Sequence, residues 1–403
     1  MKILHTADLH LGKRLNTARR LDEQRAVLRE IAELSDAEDV DVILIAGDVF
    51  DASVPPSDAE RVFYRGMKTL AEHGRAVIAL AGNHDDERRL CAAKPFADTL
   101  GVVLAGELDY SDIQNDKFTD EAPPASLLAL SDAADYLQKQ RIKITGHYGG
   151  ITVEKDGERA NIALVPYPSE GRMKRWEPEQ DYTLSYTERV KLLLEKACAF
   201  FDDGYNILCT HLFLTKSAAE DALGGLMALP TSVLPEKPDY VALGHVHKYL
   251  RISKSPLAEY SGSPLQYAYD ESRNKSVNII DTVKRTVTPT VLRSGKKLTE
   301  AEADNFDECM ARLETYADDY VRIKYAGDPL GKDEAIKIKS HPAFNDLVIV
   351  STTVGGYNGE RRAHLSDSEI FEMFYKQQKD KEPRAELKAT FEELIEELKN
   401  EAD

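Results

Sequence analysis

An α/β fold built on a largely parallel sheet is predicted by three features of the chain. Short apolar runs alternate with amphipathic helical stretches through the first hundred residues. Five apolar runs, spread over some 240 positions, each end in Asp, Asn or His. Apolar residues make up 42% of the 403, enough to bury a large core and to exclude a disordered chain.

Each element has its own signal. Lys2–Ala7 and Val40–Ala46 read as buried strands, and Ala76–Ala81 as a third. Between them, Asp22–Glu38 places Val27, Leu28, Ile31 and Leu34 at helical spacing, and Pro56–Glu72 is helical with a proline near its start. Further strands are predicted at Asn161–Val165, Tyr205–Thr210, Tyr240–Leu243, Ser276–Asp281 and Thr286–Leu292, with a helix at Thr187–Phe201. Glu107–Ser126, acidic and containing Ala-Pro-Pro, reads as a surface excursion. From Lys296 a smaller α+β unit is expected: a helix Thr299–Ala317, then strands Tyr320–Tyr325 and Asp346–Val354. After a linker at Gly355–Arg362, two helices with apolar stripes follow at Asp367–Gln378 and Pro383–Lys399. The domain reading is therefore 1–295, 296–355 and 363–403.

Composition narrows the classes. No apolar run approaches the length of a membrane span, and the charged opening residues are unlike a signal peptide. Four scattered cysteines without a CxxC pair exclude a disulfide framework or a cysteine zinc site, and fit a reducing cytoplasm. The net charge of −18 argues against nucleic acid, but residues 300–403 hold 25 of the 70 acids, so the acidity is concentrated in the last quarter.

The strand ends carry the chemistry. They read Asp8-Leu9-His10, Gly47-Asp48-Val49-Phe50-Asp51, Gly82-Asn83-His84-Asp85, His211, and Gly244-His245-Val246-His247. The carboxyl ends of strands in an open α/β sheet share one edge, so these residues are expected to converge. Asp8, His10, Asp48, Asn83, His211, His245 and His247 offer imidazole, carboxylate and amide donors without thiolate. That set suits manganese, iron or zinc better than calcium or magnesium, and seven donors serve two ions if Asp48 bridges. A lone Gly-Asp means little, and His5, His73, His147, His341 and His364, which lack a partner motif, read as structural. Five of the ten histidines nevertheless fall within these ordered motifs, and chance does not produce that arrangement.

Together these motifs identify the chain as similar to the calcineurin-like metallophosphoesterase superfamily. Ile3-Leu4-His5-Thr6-Ala7-Asp8-Leu9-His10-Leu11-Gly12, Ala242–His247 and Tyr260-Ser261-Gly262-Ser263-Pro264-Leu265 resemble, more narrowly, its bacterial SbcD family of exonuclease subunits. The likeness extends to Leu365–Gln378. The Glu107–Ser126 region and the polar Ala219–Gly225 stretch depart from it.

The resemblance implies a four-layer α/β/β/α sandwich with a small α+β capping domain, and two Mn2+ ions. Asp8, His10 and His247 would hold one ion, Asn83, His211 and His245 the other, and Asp48 both. His84 is left for proton transfer, with Asp51 orienting its imidazole. It further implies a homodimer that processes DNA together with an SbcC-type coiled-coil ATPase, in a heterotetramer. Phe371, Phe374, Phe391 and Leu394 lie in the segment expected to dock on that ATPase, and the helix of Arg61, Phe63 and Tyr64 near the dimer contact. The expected location is cytoplasmic, on the nucleoid when DNA is bound.

Fold and donors do not choose the phosphoester. A protein phosphatase is disfavoured because Asp51-Ala52-Ser53-Val54 supplies no arginine, and a compact cyclic-nucleotide enzyme because about a hundred residues follow the core. A small-nucleotide phosphodiesterase is the alternative to a nuclease. Candidate DNA contacts are Lys13, Arg14, Arg88 and Arg89, with Arg19 and Arg20 balanced between DNA and a solvated face. Arg172, Lys174, Arg175 and Trp176 form another candidate patch.

Overall fold

Three stacked apolar layers, separated by two sheets, organise the chain in the computed structural model, which describes residues 1–16, 18–106, 137–138, 141–147, 149–170, 173, 184–216, 228–350 and 388. Met1–Val348 forms one compact unit and Ile349–Asp403 a second; the architecture below is that of the first.

The first sheet begins as a chain of strand–helix units. Strand β1 (Lys2–Thr6) leads to helix α1 (Leu21–Ala37), β2 (Val42–Ile45), α2 (Ser57–Leu70), β3 (Ala76–Leu80) and β4 (Val102–Ala105). These four strands are parallel neighbours in the order given. The second sheet holds β5 (Ile142–His147), β6 (Gly150–Lys155) and β7 (Glu158–Val165). Helix α3 (Tyr186–Ala197), opened by a Ser185/Glu188 capping box, precedes β8 (Tyr205–His211) and β9 (Tyr240–Gly244). Strands β10 (Leu250–Lys254) and β11 (Leu257–Tyr260) finish it, giving the order β10-β11-β9-β8-β7-β6-β5. The chain then returns through β12 (Lys275–Asp281), antiparallel to β1, and β13 (Thr286–Leu292), antiparallel to β12, which complete the order β13-β12-β1-β2-β3-β4. Both sheets are therefore mixed.

Alternation along each strand explains the layers. In β1 and β2, Leu4, Ile43 and Ile45 face α1 and α2, where they meet Val27, Ile31, Phe63 and Met67. Ile3, Val42 and Leu44 face the other way, onto Ile162, Ile207 and Ala242 of the second sheet. The outer face of that sheet carries Leu208, Val241 and Leu243 against Val190 and Leu194 of α3. With both faces covered, the central strands carry apolar residues on both sides, and full burial of a side chain such as Ile31 or Phe63 contributes about 1.5–3 kcal/mol.

A smaller α+β module follows, with its own core around Cys309, Leu313, Val321 and Ile323. It comprises β14 (Leu298–Ala303), α4 (Phe306–Thr315), β15 (Tyr320–Tyr325), α5 (Lys332–Lys339) and β16 (Phe344–Ile349). Here one expectation fails. Thr299–Ala303 is not the start of a helix but part of β14, parallel to β15. The Glu/Ala-rich sequence favours a helix, yet Thr299, Ala301 and Ala303 are buried while Glu300 and Glu302 are exposed, a period of two that strand pairing enforces. The third strand also starts two residues earlier than expected, at Phe344.

Glu107–Ser126, Arg172, Lys174–Trp176, Ala219–Gly225, Gly355–Arg362 and the segment 363–403 with Phe371, Phe374, Phe391 and Leu394 lie outside the described residues, Lys388 excepted. Among the described residues no helix is long and apolar enough to cross a membrane.

Candidate metal centre

Each predicted donor sits where its strand stops. Asp8 follows β1, Asp48 follows β2, Asn83 follows β3, His211 closes β8, and His245 and His247 follow β9. The loops after β1 and β2 run side by side, with the Asp8 N–H on Gly47 O at 3.0 Å and the His10 N–H on Asp48 O at 3.0 Å. Asp8, His10, Asp48 and His245 all adopt positive φ, at 54°, 41°, 50° and 105°. Non-glycine residues rarely do so, and four together mark backbone held by its surroundings for the sake of side-chain direction. Gly82 allows the third loop to close in: a Cβ there would lie 2.2 Å from both the backbone nitrogen and Oδ1 of Asp48.

The result is one cluster drawn from two sheets. His10 Nε2 and His211 Nε2 lie 3.5 and 3.4 Å from Asp48 Oδ2. His10 Nε2 and His247 Nε2 are 3.0 Å apart, and His211 Nε2 and His245 Nδ1 are 2.9 and 3.0 Å from Asn83 Oδ1. Three sets, Asp8/His10/His247, Asp8/Asp48/His211 and His10/Asp48/His84, each have donor atoms within 4.8 Å of one another. Asp8 Oδ2 and His10 Nδ1 are buried without a hydrogen-bond partner. Lone pairs that converge in this way, with a buried carboxylate oxygen left over, fit cations.

The electrostatics of the chain alone agree. Burial would lower His211, but the adjacent Asp48 carboxylate lifts it to about 9. Burial opposes Asp48 as an anion, yet His211 and His10 hold it well below the usual carboxylate range. Asp8 is pushed up, first by burial and then by Asp48 beside it once the histidines' opposing pull is overcome. His245 is pushed down to about 3 by burial and by neighbouring His211. Large shifts in both directions among buried, contacting neighbours mark this cluster as a candidate functional site.

His84 is also at the cluster, its backbone N–H on Asp48 Oδ1 at 2.9 Å. Its orientation differs from expectation. Nδ1 bonds the backbone carbonyl of Asp51 at 2.9 Å, not the carboxylate. The Asp51 carboxylate instead takes Lys13 Nζ at 2.7 Å and lies 3.4 Å from His10 Nδ1. Lys13 is therefore paired beside the site; Arg14 and Arg88 are exposed, and Arg89 pairs with Glu60 at 2.9 Å. Arg20 is not a DNA contact: it is 1% exposed, bonded to Glu23 and the Gln266 carbonyl, between the rings of Tyr267 and Tyr320. His5 is structural, bonded to the Tyr240 hydroxyl at 2.9 Å.

Several supporting residues escaped the sequence reading. Asp85 accepts backbone N–H groups from Val49, Phe50 and Gly82 at 3.0, 2.8 and 2.8 Å and so locks together the loops that carry Asp48 and Asn83. Its place in Gly82-Asn83-His84-Asp85 was the available signal. Gln24 bonds the His10 carbonyl at 2.8 Å, and Glu271 bonds His247 Nδ1 at 2.8 Å; neither lies near a motif.

The model of the family described as calcineurin-like phosphoesterase matches residues 1–249. The chain is similar to the SbcD subunit of the SbcCD nuclease of Bacillus subtilis (strain 168), 30% identical over 94% of this chain and 93% of that protein. Against the SbcD subunit of Escherichia coli (strain K12) it is 29% identical over 70% of this chain and 64% of that protein. Among solved structures, a dimetal phosphatase from Danio rerio matches at 14% identity and a TM-score of 0.36, over 69% of this chain and 91% of that one.

Proposed function

The chain belongs to the calcineurin-like phosphoesterase family and is a homologue of the SbcD subunit of the SbcCD nuclease, and from that premise we propose that it is a manganese-dependent DNA nuclease. The proposed activities are a 3′–5′ exonuclease on double strands and an endonuclease on single strands. The observation that supports this reading is the convergence of Asp8, His10, Asp48, Asn83, His211, His245 and His247 from the ends of two sheets, in a chain alike to a nuclease subunit along nearly its whole length.

In this reading Asp8, His10 and His247 hold one ion, Asn83, His211 and His245 the other, and Asp48 both. Two bound divalent ions would supply a water of lowered pKa and a clamp on the phosphate. The protein's own part is positional. Positive-φ turns aim the donors, and the Asp48 carboxylate lies within reach of histidines from both sheets. His84, with Nδ1 held by the Asp51 carbonyl, has Nε2 left to exchange a proton with the leaving 3′-oxygen. The Asp51 carboxylate keeps Lys13 beside the cluster, where a phosphate would approach. Arg14, Arg88 and Arg89 are the proposed further phosphate contacts, and the module at 296–355 is the proposed cap over the DNA.

The proposed assembly is a homodimer joined to an SbcC-type ATPase through residues 363–403. A cavity of about 470 Å³ lined by Phe63, Tyr64, Met67, Phe96 and Leu100 supports a dimer contact there, since Phe96 is 79% and Tyr64 46% exposed. Digestion of end-labelled duplex DNA with and without the ATPase tests the reading. The full chain should cleave with manganese alone, and a chain lacking residues 366–403 should keep that activity but lose the ATP-stimulated one. A truncated chain that still copurifies with the ATPase contradicts the assignment of the tail.

A further inference from the structure

His247 is the last donor in the chain, and its surroundings are not foretold by its motif. Nδ1 lies 2.8 Å from Glu271 Oε1, on the side of the ring away from the contact of Nε2 with His10. The second carboxylate oxygen, Oε2, accepts the Tyr267 backbone N–H at 3.1 Å and Lys275 Nζ at 2.6 Å. Lys275 is buried at the start of β12 and gives its other protons to the His247 carbonyl at 2.8 Å and Ser263 Oγ at 2.9 Å. All three ammonium donors are thus used inside the protein, so Lys275 cannot serve as a phosphate ligand without breaking this network. The Glu271 backbone is held as well, its carbonyl accepting Gln266 Nε2 at 3.2 Å.

We infer that Glu271 is a positioning residue for the metal centre: its carboxylate fixes His247 as the Nδ1–H tautomer with the Nε2 lone pair turned to Asp8 and His10, and Lys275 holds that carboxylate in place. The inference rests on the reading of His247 as a ligand. A neutral imidazole has one N–H, and a carboxylate on Nδ1 claims it, so Nε2 is left unprotonated as metal ligation requires. The rival account makes Glu271 only the counter-ion of a buried lysine. Geometry favours the first, because Lys275 would be answered by Oε2 alone, whereas Oε1 is spent on the imidazole.

The test is calorimetric titration of Mn2+ into the metal-free full chain and its Glu271→Gln variant. The expected result is two ions bound by the parent chain, with one weakened about 10–100-fold in the variant and the other unchanged. Equal affinities for both ions in the two proteins would overturn the inference while leaving the metal centre intact. Failure of the parent chain to bind any ion would remove the reading beneath it. If the variant does not fold, nitrogen-15 spectra of the parent metal-free chain at alkaline pH decide the matter. They should show His247 protonated at Nδ1 and not at Nε2, and the opposite tautomer would refute the assignment.

Discussion

His211 reaches from the end of β8 to the other sheet, where its Nδ1 donates to the carbonyl oxygen of Ala46 at 2.9 Å. That bond fixes the ring so that Nε2 faces Asn83 and Asp48, and it sets the distance between the sheets at the site. Donors from opposite sheets can share ions only while this spacing holds.

Gly244 permits the approach. A Cβ there would lie 1.8 Å from Ala46 O and 2.6 Å from His211 Nδ1. Gly244→Ala should therefore force the sheet ends apart, destabilise the fold by about 1–3 kcal/mol and weaken metal binding. Denaturant unfolding and metal calorimetry check this; parental values in both would show that the spacing is not critical.

His84→Gln should retain both ions and lower turnover by about 10²–10⁴, the range for loss of a positioned proton donor. The geometry makes this a sharp test, because His84 shares a donor cluster with His10 and Asp48. Loss of an ion in the variant would make His84 a ligand instead.

His5 predicts an acid-sensitive fold. Its ring is fully buried and bonded to Tyr240, and burial pushes its pKa from 6.5 down to about 3. The unfolded chain gains a proton that the native chain refuses, so the neutral ring's contribution is complete above about 6.5 and is lost as pH falls toward 3. Across that window stability should fall by about 1.4 kcal/mol per pH unit from this group alone. Unfolding measured against pH should show a shallower slope for His5→Gln by one proton; parallel slopes would contradict the assignment.

Phe96→Glu places a charge on the apolar cavity beside Tyr64 and Leu100. The parent chain should sediment as a dimer and the variant as a monomer at the same concentration, with metal binding unchanged. A dimer of parental stability would move the contact elsewhere.

What was legible in the sequence is what short-range patterns encode. Strands β2 and β3 are continuous apolar runs and β1 is built around Ile3-Leu4, the helices between them carry stripes such as Val27-Leu28-Ile31, and the donors follow directly. Strand β14 was misread because Glu300 and Ala301 favour a helix locally, and only pairing with Tyr320–Tyr325 overrides that preference. Strands β5 and β6 went unseen because they border segments without a motif to anchor them. Glu271 and Gln24 were invisible for a related reason: each acts on a donor through contacts made by the folded chain, across 24 and 14 positions.

The central claim is that donors from two sheets form one manganese centre that cleaves DNA, with Asp48 common to both ions. Turnover of blunt duplex DNA by the full chain and by Asp48→Ala, each titrated with manganese, tests it most directly. The parent chain should show saturable, manganese-dependent cleavage that no manganese concentration restores in the variant. Normal turnover by Asp48→Ala at saturating manganese would contradict the claim.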